Sequence, residues 1–451
     1  MKMWLTRYRT HYVDIARLGI PLIVGQLGNI LLGFADTLMV GRYDTQSLGA
    51  AAFVNNLYNL VIITFLGFSY GLTPLVSALF ARKEYAKTGA LLKNAVVSNF
   101  LFGGIVLLIM GILYFFLDEM GQPDELLPLI CPYYVVVWCS MFFVILFNLF
   151  RQLSDGIGRT TVGMWIILGG NVLNVVLNAL LIYGIGPFPE LGLLGAGLAT
   201  LTSRVVMGLL IVFIVFRCAE YLPYRRGYLS GKLSWPDVHL VTRKSLPVAL
   251  QMGMETSAFS LSAVMVGWIG TIELASYQIV VTIGTLGYLF YYSLGAAMTI
   301  RVANFVGLNN WVEVRRCAFA ACHMLLGMML IADCAFWFLG QDLIDLFTTD
   351  EQVRLCSCML IVPLILYQFG DAMQICFANA IRGTSHVATL ILYAFISFML
   401  VCLPLAYVLG FPCGGGIIGI YLAFSIGLFL AAVLYFFSFM RITREKLLSK
   451  A

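Results

Sequence analysis

Long apolar runs separated by short polar breaks follow one another along almost the whole chain. A helix needs about 20 predominantly apolar residues to cross a bilayer, and twelve runs approach or exceed that length. They lie near 16–40, 48–80, 90–117, 128–150, 162–185, 193–217, 245–269, 274–300, 317–339, 355–381, 386–409 and 417–440. The pattern predicts an all-α polytopic membrane protein with 12 transmembrane helices and no sizeable soluble domain.

One polar connection, residues 218–244, is much longer than the others and separates six helices from six. The two halves resemble each other at an offset of about 225 residues, which indicates an internal repeat. Matching pairs are Pro21 and Pro247, Gly41 and Gly267, Gly71 and Gly295, and Gly156 and Gly383. We therefore predict an N-terminal lobe (1–217), a cytoplasmic linker (218–244) and a C-terminal lobe with a cytoplasmic tail (245–451). Six helices per half predict parallel repeats, with substrate passing between them.

The composition excludes a soluble protein and supports this topology. Of the 451 residues, 61% are hydrophobic and 11% are charged, whereas soluble proteins average about 25% charged residues. If both termini are cytoplasmic, the predicted inner segments hold 24 of the 27 Lys and Arg residues, and the outer loops hold only Arg42 and Arg354. This asymmetry obeys the positive-inside rule and favours an even number of spans.

Four acids and one arginine lie well inside the predicted spans, namely Asp36, Glu255, Asp333, Asp371 and Arg204. An ionised side chain at the bilayer centre costs about 3 kcal/mol or more, so such residues usually mark a pair, a solvated cavity or an ion site. For Asp333, near the outer end of its helix, and for Arg204 we favour a structural or interfacial role.

Glu255 and Asp371 lie at a common depth, each about ten residues, or roughly 15 Å, from the inner end of its helix. Gln251 precedes Glu255 by one turn, and Tyr367 precedes Asp371 by one turn, so each can supply oxygen or amide groups on the same face as its acid. Hard oxygen ligands suit Na⁺ or H⁺ better than a soft transition metal. We predict a cation-coupling site at Glu255, Asp371 and Tyr367, with Gln251 in support.

A second polar site is predicted in the first half. Asn171, Asn174 and Asn178 form a stripe on one face of the fifth span, and Asn178 reaches a depth like that of Asp36. Such a stripe can hold helices together through hydrogen bonds. Beside a buried acid, it can equally form a cation or proton site.

Aromatic residues are abundant, and Tyr288, Phe290, Tyr291 and Tyr292 cluster in the eighth span. Most aromatic side chains in such a protein pack together or face lipid. Those that line a substrate cleft would bind flat organic cations by stacking and cation–π contacts.

Several short motifs together resemble the multidrug and toxic compound extrusion (MATE) transporters, in particular their NorM-like bacterial branch, over almost the full length. They are Pro21, Gln26, Asp36 and Gly41-Arg42; Asp155-Gly156; Pro189 to Gly192; Tyr277-Gln278-Ile279; Ile300-Arg301-Val302 with Gly307; Tyr367-Gln368 with Asp371-Ala372; and Arg382-Gly383. Relatives commonly carry His at the position of Tyr277, and this chain departs from them there.

The resemblance implies antiport of amphipathic, often cationic drugs against Na⁺ or H⁺ by alternating access between the two lobes. It further implies cation coupling at Asp36, Glu255, Asp371 and Tyr367, with supporting polar groups at Asn174, Asn178 and Gln278. Gln26 joins Tyr288, Phe290 and Tyr291 as a substrate-cleft candidate. We expect a monomer in the bacterial cytoplasmic membrane, with both termini cytoplasmic, no cofactor beyond the coupling ion and no nucleic-acid partner.

Two other functions, a flippase and an enzyme, fit these residues less well. A flippase for lipids or lipid-linked precursors would need a cationic cleft, whereas the charges in the spans are mainly acidic. An enzyme is not expected, because the four His residues are far apart in sequence and no HExxH, P-loop or nucleophile motif occurs.

Overall fold

The computed structural model describes the backbone of residues 2–449 and the side chains of residues 8–449. Over that range the chain is helical, with short turns and no β-strand. Met1, Lys450 and Ala451, which belong to the predicted cytoplasmic ends, lie outside the described residues.

The helices of the first half follow the apolar runs closely. They are α1 (Lys2–Tyr43), α2 (Thr45–Tyr70), α3 (Leu72–Ala81), α4 (Tyr85–Leu113), α5 (Leu127–Gly156), α6 (Thr160–Ile182), α7 (Gly192–Arg217) and α8 (Leu222–Ser230). Short 3₁₀ turns cover Tyr114–Phe116, Asp118–Met120, Asp124–Leu126 and Ala219–Tyr221.

The second half contains α9 (Trp235–Ile269), α10 (Thr271–Gly307), α11 (Trp311–Asp345), α12 (Glu351–Met359), α13 (Ile361–Thr384), α14 (Ala388–Ala394), α15 (Leu403–Gly410) and α16 (Gly416–Leu448). A π-helical stretch, Phe395–Cys402, joins α14 to α15 without a break. Pro404 follows it and has no amide hydrogen to donate to the preceding turn, which accounts for the irregular geometry there.

Among the described residues, eleven helical segments are long and apolar enough to cross a membrane. They coincide with eleven of the twelve predicted spans. The twelfth, 245–269, lies in α9, which is equally long but carries Gln251, Glu255 and several Ser residues in its middle. The all-helical membrane fold is confirmed, and the most polar of the predicted spans is the helix that carries Glu255.

The chain divides into two compact units, and the divisions lie inside helices rather than in the polar connection. One unit contains Val24–Ala249, and the other contains Met1–Ile23 together with Leu250–Ala451. The predicted lobes ended at 217 and began again at 245, so the observed units differ from them. The start of α1 belongs with the second half and the start of α9 with the first. Pro21 and Pro247 lie just before the two divisions.

Residues 218–244 form a folded part of the 24–249 unit. Lys93 Nζ donates a hydrogen bond to the Gly231 carbonyl oxygen at 2.8 Å, and the Ser234 amide donates to Asn94 Oδ1 at 2.8 Å. Both contacts tie the connection to α4. The predicted linker is therefore an ordered segment that includes α8 and the first turns of α9.

The first turns of α1 are held by ion pairs to α10 and α11, which belong to the same unit. Arg301 Nη2 lies 2.6 Å from Asp14 Oδ2, and His11 Nε2 lies 2.9 Å from Glu313 Oε2. A β-carbon at Gly19 would lie 2.9 Å from Leu294 Cδ2 and 3.8 Å from Leu294 Cα, so α1 packs closely against α10 here. The unit thus fixes α1 through both polar and backbone contacts.

Candidate functional site

Asp36 of α1 is hydrogen-bonded to the asparagine stripe of α6. Asn178 Nδ2 donates to Asp36 Oδ1 at 2.5 Å and to Asn174 Oδ1 at 2.9 Å. Asn174 Nδ2 in turn donates to Thr200 Oγ1 of α7 at 3.3 Å. Asn174 and Asn178 are one helical turn apart, so they face the same way, and both are buried. The chain of amides therefore links α1 to α7 through α6.

Arg204 lies one turn beyond Thr200 on α7, and its Nη1 donates to Ser140 Oγ of α5 at 2.7 Å. Its positive charge interacts with Asp36 and with the phenol of Tyr133. The half-buried arginine of this unit thus lies within electrostatic range of its half-buried acid. A structural pairing of Arg204 stays a prediction.

Glu255 of α9 receives two amide hydrogen bonds in the other unit. Gln251 Nε2 donates to Glu255 Oε2 at 2.9 Å, and Gln374 Nε2 of α13 donates to the same oxygen at 3.1 Å. The predicted partner Gln251 is thus in place. Gln374 adds a contact from the helix that carries Asp371.

A buried arginine, Arg382, contacts the Gln251 side chain that donates to Glu255. Arg382 Nη2 donates to Gln251 Oε1 at 2.5 Å, and Arg382 Nη1 donates to Asn379 Oδ1 at 3.3 Å. Its charge acts on Glu255 as a favourable electrostatic partner. The negative charge of Glu255 is therefore stabilised by two amide donors and by the positive charge of Arg382.

Asp371 of α13 has no such donors among the described residues. Its side chain is 1% exposed, and neither carboxylate oxygen has a hydrogen-bond donor among the described residues. The charge of Glu255 interacts unfavourably with it, and Tyr367, one turn earlier, lies within electrostatic range of both acids. A buried carboxylate without a donor is a strong site for a proton or a cation, because either neutralises its charge.

Aromatic rings enclose this region. Tyr367 meets Phe259 edge-on at a centroid distance of 6.0 Å and Tyr421 at 5.9 Å, and Tyr421 meets Tyr277 at 5.9 Å. The ring edges exclude bulk water and lower the local dielectric constant, which strengthens every charge interaction at the acids. Tyr277 is one of these buried rings.

Of the remaining sequence candidates, Tyr291 lies within electrostatic range of Asp371, and the others make different contacts. Gln278 is exposed on α10, and Gln26 accepts a hydrogen bond from Asn29 at 3.2 Å. Tyr288 and Phe290 are half-buried, and Tyr288 stacks on Tyr292 at a centroid distance of 5.5 Å. Tyr291, predicted to line a cleft, is 0% exposed and lies inside its own unit.

Sequence reasoning missed three polar residues of this region. Gln368 and Gln374 lie three residues before and three after Asp371, a spacing that already places them beside it on one helix face. From the sequence, Arg382 counts among the basic residues of the predicted inner segments. No residue spacing predicts that its side chain is buried. No three His, Cys, Asp or Glu side chains gather as a metal site within residues 8–449.

Comparison with known proteins identifies the fold and the relatives. A crystal structure of "MATE in complex with MaD3S" matches with a TM-score of 0.88 at 19% identity, over 97% of each chain. The "probable multidrug resistance protein NorM" of Rhizobium meliloti is 25% identical over 97% of this chain and 94% of its own. The "multidrug resistance protein MdtK" of Edwardsiella ictaluri is 27% identical over 95% of each chain.

The MatE family matches this chain in two successive segments, residues 21–180 and 247–408. The segments begin at Pro21 and Pro247, the first pair of the repeat that the sequence predicts. They contain Asp36, Glu255 and Asp371 and cover well over half of the chain. This multi-pass membrane protein belongs to the MatE family.

Proposed function

We propose that this protein is a multidrug efflux antiporter that exports amphipathic, often cationic compounds in exchange for inward Na⁺ or H⁺. Relatives that are named multidrug resistance proteins match this chain over nearly their whole length. The observation that carries the coupling is Asp371, a buried carboxylate with no donor among the described residues.

The coupling follows from the free energy of the buried charge. An empty, ionised Asp371 is costly in the membrane, so the conformation that buries it favours the ion-bound form. One elementary charge that crosses 100 mV supplies about 2.3 kcal/mol, which sustains a substantial drug gradient. Antiport by alternating access requires that ion and drug stabilise different conformations.

The protein acts, in this proposal, as a monomer in the bacterial cytoplasmic membrane with both termini in the cytoplasm. Glu255 and Tyr367 complete the ion site at Asp371, and Asp36 with Asn178 forms a second site that responds to ion or drug. The substrates are small organic molecules, and the lipid bilayer is the surrounding phase.

The test uses inverted membrane vesicles loaded with Na⁺ or with acid, in which a fluorescent cationic dye enters the lumen. Either gradient alone drives dye uptake by the unaltered protein, and the gradient that does so identifies the ion. Asp371→Asn and Glu255→Gln abolish ion-driven uptake while the protein remains folded and expressed. Asp124→Asn, at an exposed acid outside the site, is the matched control.

The proposal fails if both variants take up dye as the unaltered protein does under both gradients. It also fails if neither gradient drives uptake by unaltered, folded protein with a panel of cationic dyes.

A further inference from the structure

Buried oxygen atoms without partners are concentrated where α10, α11 and α13 meet. Within residues 8–449, hydrogen-bond partners are lacking for both oxygens of Asp371, Oη of Tyr291, Oε1 of Gln368 and Oδ1 of Asp333. Tyr291 and Gln368 are each 0% exposed, and Asp371 is 1% exposed. We call these side chains the α11-side cluster. Chemically it is a set of oxygen acceptors with a single phenolic hydroxyl.

The two neutral members face the same small space beside α10. A β-carbon at Gly287 would lie 2.9 Å from Tyr291 Oη and 3.0 Å from Gln368 Oε1. Gln368 is anchored there because its Nε2 donates to the Gly284 carbonyl oxygen at 3.2 Å. The absence of side chains at positions 284 and 287 lets both oxygens approach the helix.

The other two members of the α11-side cluster, Asp333 and Asp371, are acids. Gln368 is three residues before Asp371 and shares its helix face. The charges of Asp333 on α11 and Asp371 on α13 both act on the Tyr291 phenol. The phenol thus lies within electrostatic range of both acids.

The α11-side cluster differs from the Glu255 side of the site. Glu255 accepts two amide hydrogen bonds and has Arg382 nearby. No cation and no amide donor of that kind reaches the α11-side cluster from the described residues. Oxygen acceptors without a donor bind a hard monovalent cation or a proton.

We propose that the coupling cation reaches Asp371 through Asp333, Tyr291 and Gln368, which form an entry site for a monovalent cation. The proposal rests on the proposed function and its orientation, in which α11 runs outward and places Asp333 nearer the outer surface than Asp371. Na⁺ is held by the carboxylate, phenol and amide oxygens. For H⁺, the Asp333 carboxylate is protonated first and releases the proton, which the Asp371 carboxylate then binds.

The test measures how dye uptake depends on the concentration of the driving ion. In Asp333→Asn the half-saturating concentration rises about tenfold, as loss of one good charge interaction requires, and the maximal rate is retained. Asp333→Glu restores the dependence. Asp342→Asn, an exposed acid on the same helix, leaves it unchanged.

Tyr291→Phe distinguishes the two ions. It raises the half-saturating concentration for Na⁺, because one of several oxygen ligands is lost, but leaves proton-driven uptake unchanged, because the two carboxylates bind the proton. Folding of each variant is checked by its elution profile in detergent.

An unaltered ion dependence in folded Asp333→Asn would overturn the entry site and leave the proposed function intact. Complete loss of uptake in that variant at every ion concentration would also overturn it, since Asp333 would then act as a coupling acid. Full activity of both Asp371→Asn and Glu255→Gln is the separate result that rejects the proposed function.

Discussion

Gly89 of α4 lies directly against the backbone of Tyr224 in α8, where a β-carbon at residue 89 would be 2.0 Å from the Tyr224 carbonyl oxygen. The contact is reciprocal, since a β-carbon at Gly227 would be 2.1 Å from the Ala86 carbonyl oxygen. Two helices can meet backbone to backbone only where neither has a side chain. The connection between the two six-helix halves is therefore docked rather than loose.

Replacing Gly89 by Ala should separate α8 from α4. The added methyl group cannot avoid backbone atoms, so the free energy of unfolding falls by about 3 kcal/mol, the upper end of typical overpacking costs. Gly104→Ala on the same helix is the control, because no described atom lies within 4 Å of its β-carbon position. The melting temperature in detergent measures both, and equal values would contradict the docking.

Exchanging Asp36 and Asn178 tests their hydrogen bond. Asp36→Asn removes the acid, and Asn178→Asp sets a second carboxylate beside the first, so each single change lowers ion-driven dye uptake. The double variant restores one carboxylate and one amide and should regain a large part of the rate, since contacting residues are not additive. A double variant no better than the singles would show that the position of the carboxylate itself is essential.

Gln374→Leu removes one of the two amide donors to Glu255. A donor to a charged group contributes about 1.5–3 kcal/mol, and without it the carboxylate attracts a cation more strongly. The half-saturating ion concentration should therefore fall, and the maximal uptake rate should fall with it because release slows. Gln341→Leu, at an exposed glutamine on α11, is the control. A raised half-saturating concentration in Gln374→Leu would refute this role.

Asp44 should make the stability of α2 depend on pH. Its carboxylate caps the helix by accepting a hydrogen bond from the Ser47 amide at 2.8 Å, and this bond lowers the pKa of Asp44 below its usual value of 3.8. A lowered native pKa means that the stabilisation is present at neutral pH and is lost as the pH falls through that pKa. Asp44→Ala should lower the melting temperature at pH 7 more than at about pH 3.

Asp44→Asn separates the charge from the cap. The amide oxygen still accepts the Ser47 hydrogen bond, so this variant should melt above Asp44→Ala at both pH values. A deficit of Asp44→Ala that is the same at both pH values would exclude the contribution of the ionised form.

The helical spans could be predicted because each needs a long apolar run, and the depth of Asp36 and Asn178 follows from helical rise alone. The partners of the acids were only partly accessible. The position of Gln374 beside the acids follows from its spacing to Asp371. The burial of Arg382 depends on the direction in which its helix face points, and a count of basic residues does not contain that information. No run of polar residues marks the unit boundaries in α1 and α9. The sequence therefore predicts the boundaries at the polar connection, residues 218–244, instead.

The division of the units inside α1 and α9 has a consequence for synthesis at the ribosome. Residues 2–23 are made before the 24–249 unit, yet the helices to which Asp14 and His11 bind are made only after residue 250. The start of α1 must therefore wait until the whole 24–249 unit has been made before it reaches its partners. A gene cut within the polar connection would leave each fragment with a segment that belongs to the other.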